Sequence, residues 1–429
     1  MAVTNPKFEA SEALLAAFAA PTGAAWATEA RAKAAAHLRA IGAPNKRDEY
    51  WKYTNPTALT DVPAGSAALF ASDEAPIFDA IDRVKVVFVD GVLDTAQSDD
   101  LVLEGVEIET LAEATAKDIH WAKDLFGVLE MNGQDPVDRP LAALNTAVAT
   151  EGLVIHVKAE TAKPLAVRYL HTSETSDAMV HHVIKVEEGA KFTLLESGAG
   201  AARFNSVLEV DVADTAEFHH VRTQGRDHER KTATHMYGRL GAESIYRSFT
   251  MTVNGMLTRN ESVLEFTGDN SQATVGGASA GDGNDFHHDD TVFVTHDSVN
   301  CESRQVFKKV LRNGATGVFQ GKILVKADAQ KTDGYQISQG LLLDDDSNFL
   351  AKPELEIYAD DVACSHGSTV GAIDEDAMFY LTSRGVPKAQ AQDMLVLAFL
   401  GEAIDEIDNS DLADDIHDRL AAWMERRRG

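Results

Sequence analysis

Apolar and polar positions change period twice along this chain. Up to about residue 150 the spacing is mostly helical. Leu14, Leu15 and Phe18 recur at helical intervals, and residues 30–41 are rich in Ala, Arg and Lys before Gly42 and Pro44 end the run. A strand, the tight turn Asp90-Gly91 and a second strand are predicted over 84–93. From about Leu153 to about Val370 the period becomes two, in short β-branched runs such as 153–157, 183–186, 192–195 and 207–212. Helical spacing then returns. Asp374 to Asp376 place carboxylates at a helix start, and Gly385 marks its stop. Pro387 opens a second helix carrying Met394, Leu395, Leu397, Phe399 and Leu400. A last one has Leu412, Ile416, Leu420 and Trp423 on one face and Arg426 to Arg428 at its end.

Within the β region a loose repeat recurs at a constant offset: Gly189-Ala190-Lys191-Phe192, Thr215-Ala216-Glu217-Phe218 and Gly241-Ala242-Glu243-Ser244. Each follows one strand and precedes another, as a corner does in a stacked coil. Short strands with regular turns suit a sandwich or a solenoid, and the constant offset favours the solenoid. Coils of a solenoid bury their apolar faces only against their neighbours, so both ends need caps. The two helical segments are expected to supply them. The run from Gly276 to Asn284 reads as a flexible loop by composition.

Composition narrows the function. The chain has 429 residues, 44% of them hydrophobic, enough for two or three domains. A net charge of −29 argues against a nucleic-acid or anionic-membrane surface, which needs clustered Lys and Arg. Two cysteines, Cys301 and Cys364, make no disulfide framework and imply a reducing compartment. The apolar run 13–20 is preceded by Glu9 and Glu12 where a signal peptide would be basic, and no run approaches a membrane span. A soluble cytoplasmic protein is expected.

Gly317-Val318-Phe319-Gln320-Gly321-Lys322-Ile323 resembles a phosphate loop only superficially. It has one residue too few between its glycines, and Ile323 stands where Ser or Thr must hold magnesium. The histidine pairs His181-His182, His219-His220 and His287-His288 are neighbours on strands, so the members of each face opposite ways and cannot share a metal. His287, His288, Asp289, Asp290 and His296 form a looser metal candidate. Cys364-Ser365-His366 carries the strongest chemical signal. Two apart on a strand, Cys364 and His366 project to the same side and pair a thiol with an imidazole, suited to iron, zinc or copper. A small buried thiol beside a hydrogen-bonded histidine is the structural alternative. With two thiols in the chain, an iron–sulfur cluster held by cysteine alone is excluded, and any cluster must be shared with another protein. Acidic neighbours such as Asp289-Asp290 and Asp360-Asp361 cannot flank one glycosidic bond, which argues against a carbohydrate-active solenoid.

Residues from about Phe286 to Phe399 resemble the SufB/SufD family of iron–sulfur cluster assembly proteins. The matches run in order through His287-x-Asp289, Val294-x-His296, Ser303-x-Gln305, Lys309-Val310-Leu311 and the Gly317–Ile323 segment. They continue through Ala329-Gln330-Lys331-Thr332-Asp333, Lys352-Pro353-Glu354-Leu355-Glu356-Ile357-Tyr358, Cys364-Ser365-His366-Gly367 and Phe379-Tyr380-Leu381-x-x-Arg384-Gly385. Upstream, Asp48-Glu49-Tyr50-Trp51-Lys52-Tyr53-Thr54 and Pro140-Leu141-x-Ala143-Leu144-Asn145-Thr146 also fit. Cys-Ser-His-Gly looks like the SufD branch, while Ser368 and Asp344 depart from its usual residues.

The resemblance implies a mainly β protein: a right-handed parallel β-helix over 151–370, between helical domains at 1–150 and 371–429. It implies a non-catalytic scaffold that pairs with SufB through the β-helix and receives the ABC-type ATPase SufC on its C-terminal helices. The sequence leaves open whether the chain forms a homodimer where SufB is absent. A transient cluster shared with SufB is implied at the interface, with His366 as a ligand and Cys364 as a further ligand or as packing. No nucleotide site is expected in this chain. A structural pairing subunit without any ligand role is the alternative.

Overall fold

The computed structural model describes residues 6–70, 75–225 and 229–427. Its centre is a parallel β-solenoid of about 7 turns. Successive strands alternate between a ten-stranded and a nine-stranded sheet, so each strand pairs with the strand two further along the chain. Coil stacks on coil without slippage. His220, Ser248, Val275, Gln305, Gln336 and His366 follow one another as register partners down one sheet.

One corner explains the repeat. Thr215, Glu243, Asn270, Asn300 and Lys331 all adopt left-handed φ between 57° and 62°, and Gly189 adopts 70°. Each backbone N–H there donates to a carbonyl of the next coil: Gly189 to Asp214, Thr215 to Ala242, Glu243 to Asp269, Asn270 to Val299, Asn300 to Gln330 and Lys331 to Asp361. The third copy of the repeat is therefore displaced. Glu243, not Gly241, is the equivalent of Thr215, because that coil is longer by two residues.

Period two sends alternate residues into a lumen packed with Val, Leu and aromatic side chains from both sheets, Phe192, Phe218, Phe266, Phe307 and Phe319 among them. The expected loop over 276–284 is mostly strand: Gln272–Asp282 is continuous. Its glycines make room for rings. A Cβ at Gly277 would lie 2.7 Å from the Phe307 ring, and one at Gly281 2.4 Å from Phe286.

The helices do not cap the ends as expected; they cover the sides. Ala25–Ile41 and Pro140–Val148 pack on the outer face of the nine-stranded sheet, against Val154, Met179, Val183 and Val207. Lys388–Ile404 and Ser410–Arg426 cover the other sheet. Leu412, Ile416, Leu420 and Trp423 are all buried there, each worth about 1.5–3 kcal/mol of transfer free energy. Arg428 lies outside the described residues. The sheets begin within the N-terminal segment, since Val84–Val89 pairs with Leu165–Leu170 and Val106–Thr110 pairs antiparallel with Leu153–Val157. Leu93, Leu101 and Leu103 close that end of the lumen. Among the described residues the far end has no such lid. Asn348–Ile357 and Ala363–Gly371 are edge strands, each paired on one side only.

Candidate functional site

The final strand, Ala363–Gly371, places the sequence-predicted pair at this open end. Its partners in register are Gly334, Gln336, Ser338 and Gly340, all buried, for Cys364, His366, Ser368 and Val370. These four therefore form the lumen-facing row of the last coil, and Ser365, Gly367 and Thr369 face outward. His366 and Ser368 are exposed because no further coil covers them. Ser338 and Ser368 share a hydrogen bond of 2.6 Å between hydroxyls.

Cys364 is half-buried against Ile323, Leu355, Ala359 and Val362. A Cβ on Gly334 would lie 3.1 Å from its Sγ, so the glycine makes room for the sulfur. Burial pushes the Cys364 thiol above its ordinary pKa, and the Asp333 carboxylate adds to this against a hydrogen bond from the Gly334 amide. A soft thiol and an imidazole on one face fit an iron or cluster substrate chemically. Among the described residues no group of three or more His, Cys, Asp or Glu could hold a metal ion.

Opposite this row, Asn348–Ile357 turns Phe349, Ala351 and Leu355 towards the lumen. Its outer face carries Lys352, Glu354 and Glu356, held by a strap at residues 49–54. Lys352 sits 4.0 Å from the Tyr50 ring centroid and 2.8 Å from Glu49, and Tyr50 donates its hydroxyl proton to Glu354. The strap is anchored below. Trp51 is buried under Arg259, the Tyr50 carbonyl accepts from Arg259 and Gln320 at 3.0 Å each, and Thr54 donates to Asp289. Only its aromatic density and family likeness signalled this strap in the sequence.

The remaining candidates are structural. Asp289 faces outward to Arg259 and Thr54, while His288 and Asp290 face inward to Lys309. His287 bonds Thr54 at 3.0 Å, and His296 bonds Ser303 at 2.9 Å and stacks on Phe266. The looser metal cluster is thus split by the strand's own alternation. Likewise His181 meets Glu209 outside the lumen, and His182 meets Tyr169 within it. Gly317 and Gly321 lie within Thr316–Val325, a strand and not a loop, which removes the phosphate-loop likeness.

Sequence comparison bears on what such a site serves. Residues 169–399 match the profile described as SUF system FeS cluster assembly, SufBD core domain, and residues 15–167 match the SufBD protein N-terminal region. The chain belongs to the SufBD family. It is 27% identical to the iron-sulfur cluster assembly protein SufD of Escherichia coli (strain K12), over 92% of this chain and 93% of that protein. It is 28% identical to the SufBD family protein slr0076 of Synechocystis, over 88% and 86%. Bacillus subtilis SufD is 25% identical over 63% of each chain. SufBD members are assembly scaffold proteins, and the comparisons indicate no catalytic family. No helix among the described residues is long and apolar enough to cross a membrane.

Proposed function

We propose that this chain is a non-catalytic, cytoplasmic scaffold subunit of a Suf assembly complex, pairing with SufB through the open end of its solenoid. The carrying observation is the last coil itself. Two edge strands with free backbone groups surround a lumen mouth whose row holds Cys364, His366, Ser368 and Val370. Unpaired strands that also expose apolar side chains, here Val370 and Ile357, are templates for strand addition by another chain. A second solenoid stacked there would extend both sheets and enclose the row. His366 would then face the partner's ligands around a nascent cluster, with Cys364 beside it as a second donor. The cluster is cargo, made and passed on.

The C-terminal helices suit an ATPase partner. Glu375–Ser383 is capped by Asp374, yet buries none of its side chains and exposes Phe379 and Tyr380. The next helix is fastened to the solenoid by Lys308–Glu402, and the turn that follows it by Arg304–Glu406. A SufC-type ATPase docked on Glu375–Ser383 and Lys388–Ile404 would transmit its closure to the sheet and open the mouth. It does so only if it docks differently in the two states.

The pairing is tested by co-expression with the SufB and SufC relatives and Val370→Arg, which puts a charge in the lumen row. Loss of SufB from the purified complex, with the isolated variant still folded, is the expected result. Undiminished co-purification sinks the proposed interface. Without SufB, the same end is expected to form a homodimer, which the variant abolishes.

A further inference from the structure

Two buried amides stand behind His366 in its own lumen row. Gln305 is the register partner of Gln336, and Gln336 that of His366, one coil apart each time. Both glutamines are 0% exposed. Gln336 Nε2 donates to Gln305 Oε1 at 2.7 Å. A planar amide that gives its nitrogen to the coil behind turns its oxygen away from that coil. Gln336 Oε1 is buried without a hydrogen-bond partner among the described residues, an arrangement proteins rarely leave unused.

Gly321 on the facing sheet makes this placement possible. A Cβ there would lie 2.3 Å from Gln336 Nε2 and 2.7 Å from Oε1, so any side chain would displace the amide. Register partners on parallel strands stand ~4.8 Å apart, a step that polar side chains span. Gln305 and Gln336 already span it, and so do Ser338 and Ser368 in the adjacent row. The His366 imidazole is exposed at the mouth and makes no side-chain hydrogen bond among the described residues.

The geometry points to Gln336 as a positioning residue for His366: its Oε1 accepts the N–H of the imidazole and turns the other nitrogen, with its lone pair, towards incoming iron. This rests on the reading of His366 as a ligand. An imidazole ligand needs an acceptor for its second nitrogen, which selects the tautomer and the ring orientation.

The test reads the tautomer without any metal. In the full chain labelled with 15N-histidine, His366 is assigned by the signals lost in His366→Ala, and its tautomer ratio is measured at alkaline pH. Gln336→Leu is expected to move the ratio towards that of free imidazole by about two- to tenfold, the worth of one neutral hydrogen bond. Gly321→Ala, which displaces the amide but leaves its chemistry intact, shifts the ratio as Gln336→Leu does and replaces it should that variant fail to fold. An unchanged ratio in either folded variant overturns the assignment of Gln336, whatever the iron content. Iron retained by a His366→Ala complex, with the ratio shifted as expected, overturns only the ligand reading.

Discussion

Arg259 sits over Trp51, its guanidinium carbon 4.1 Å from the ring centroid, and ties the N-terminal strap to the solenoid wall. The same guanidinium donates to Glu261 at 2.6 Å, to Asp289 and to the Tyr50 carbonyl. Arg139 adds a second cation 3.0 Å from Glu261. These charges are buried but mutually compensated, the condition under which burial is tolerated.

Removing the ring should therefore cost more than its area. Trp51→Ala is expected to destabilise the chain by about 3–5 kcal/mol in urea unfolding, as for other buried aromatics. Trp51→Phe, which keeps a π face for Arg259, should lose less than half of that. Equal losses in the two variants would contradict a contribution from an aromatic face under Arg259.

A buried carboxyl gives the pH dependence. Burial pushes Glu130 up to about 8, against a stabilising hydrogen bond from Gln134. The folded state then holds a proton that the unfolded state, near 4.5, releases. That contribution is complete below pH 4.5 and is lost as pH rises through 8. Burial holds His182 and His296 down to about 4, so they act in the opposite window, and stability falls as pH drops from 6.5 towards 4. Between pH 6 and 8.5, wild type should lose about 1–3 kcal/mol more stability than Glu130→Gln. Parallel pH profiles for the two proteins would contradict the assignment.

Cys364 is expected to react slowly. With its thiol raised by burial and by Asp333, little thiolate is present at neutral pH. Iodoacetamide should alkylate it at least several-fold more slowly than a free cysteine at pH 7.5, with the rate still climbing above pH 9. Cys301, buried at 1% exposure, should be slower still. Modification of Cys364 at the rate of the free amino acid would place the sulfur outside the lumen row.

Much of this architecture is local enough to be read from the sequence. Period two marked the strands, and two-residue spacing put Cys364 and His366 on one face. The parity of neighbours correctly separated His287 from His288 and Asp289 from Asp290. What escaped depends on residues from different strands and corners meeting around the lumen. Gly277, Gly281 and Gly321 suggested loops because what they accommodate stands elsewhere: Phe307 and Gln336 on other strands, and Phe286 at the following corner. The helices were expected at the ends because a solenoid needs caps, and amphipathicity shows that a face is buried without showing against what. The open mouth follows from pairing that stops at Ala363–Gly371, and nothing in that strand's composition announces it.

The central claim is that the mouth row of this chain supplies a cluster ligand. The most direct measurement is iron and acid-labile sulfide per complex after anaerobic co-expression with the SufB and SufC relatives, comparing wild type with His366→Ala. The account predicts that both complexes assemble and that the variant loses most of its iron and sulfide together. Wild-type iron and sulfide in an intact His366→Ala complex would contradict it and leave this chain a purely structural partner.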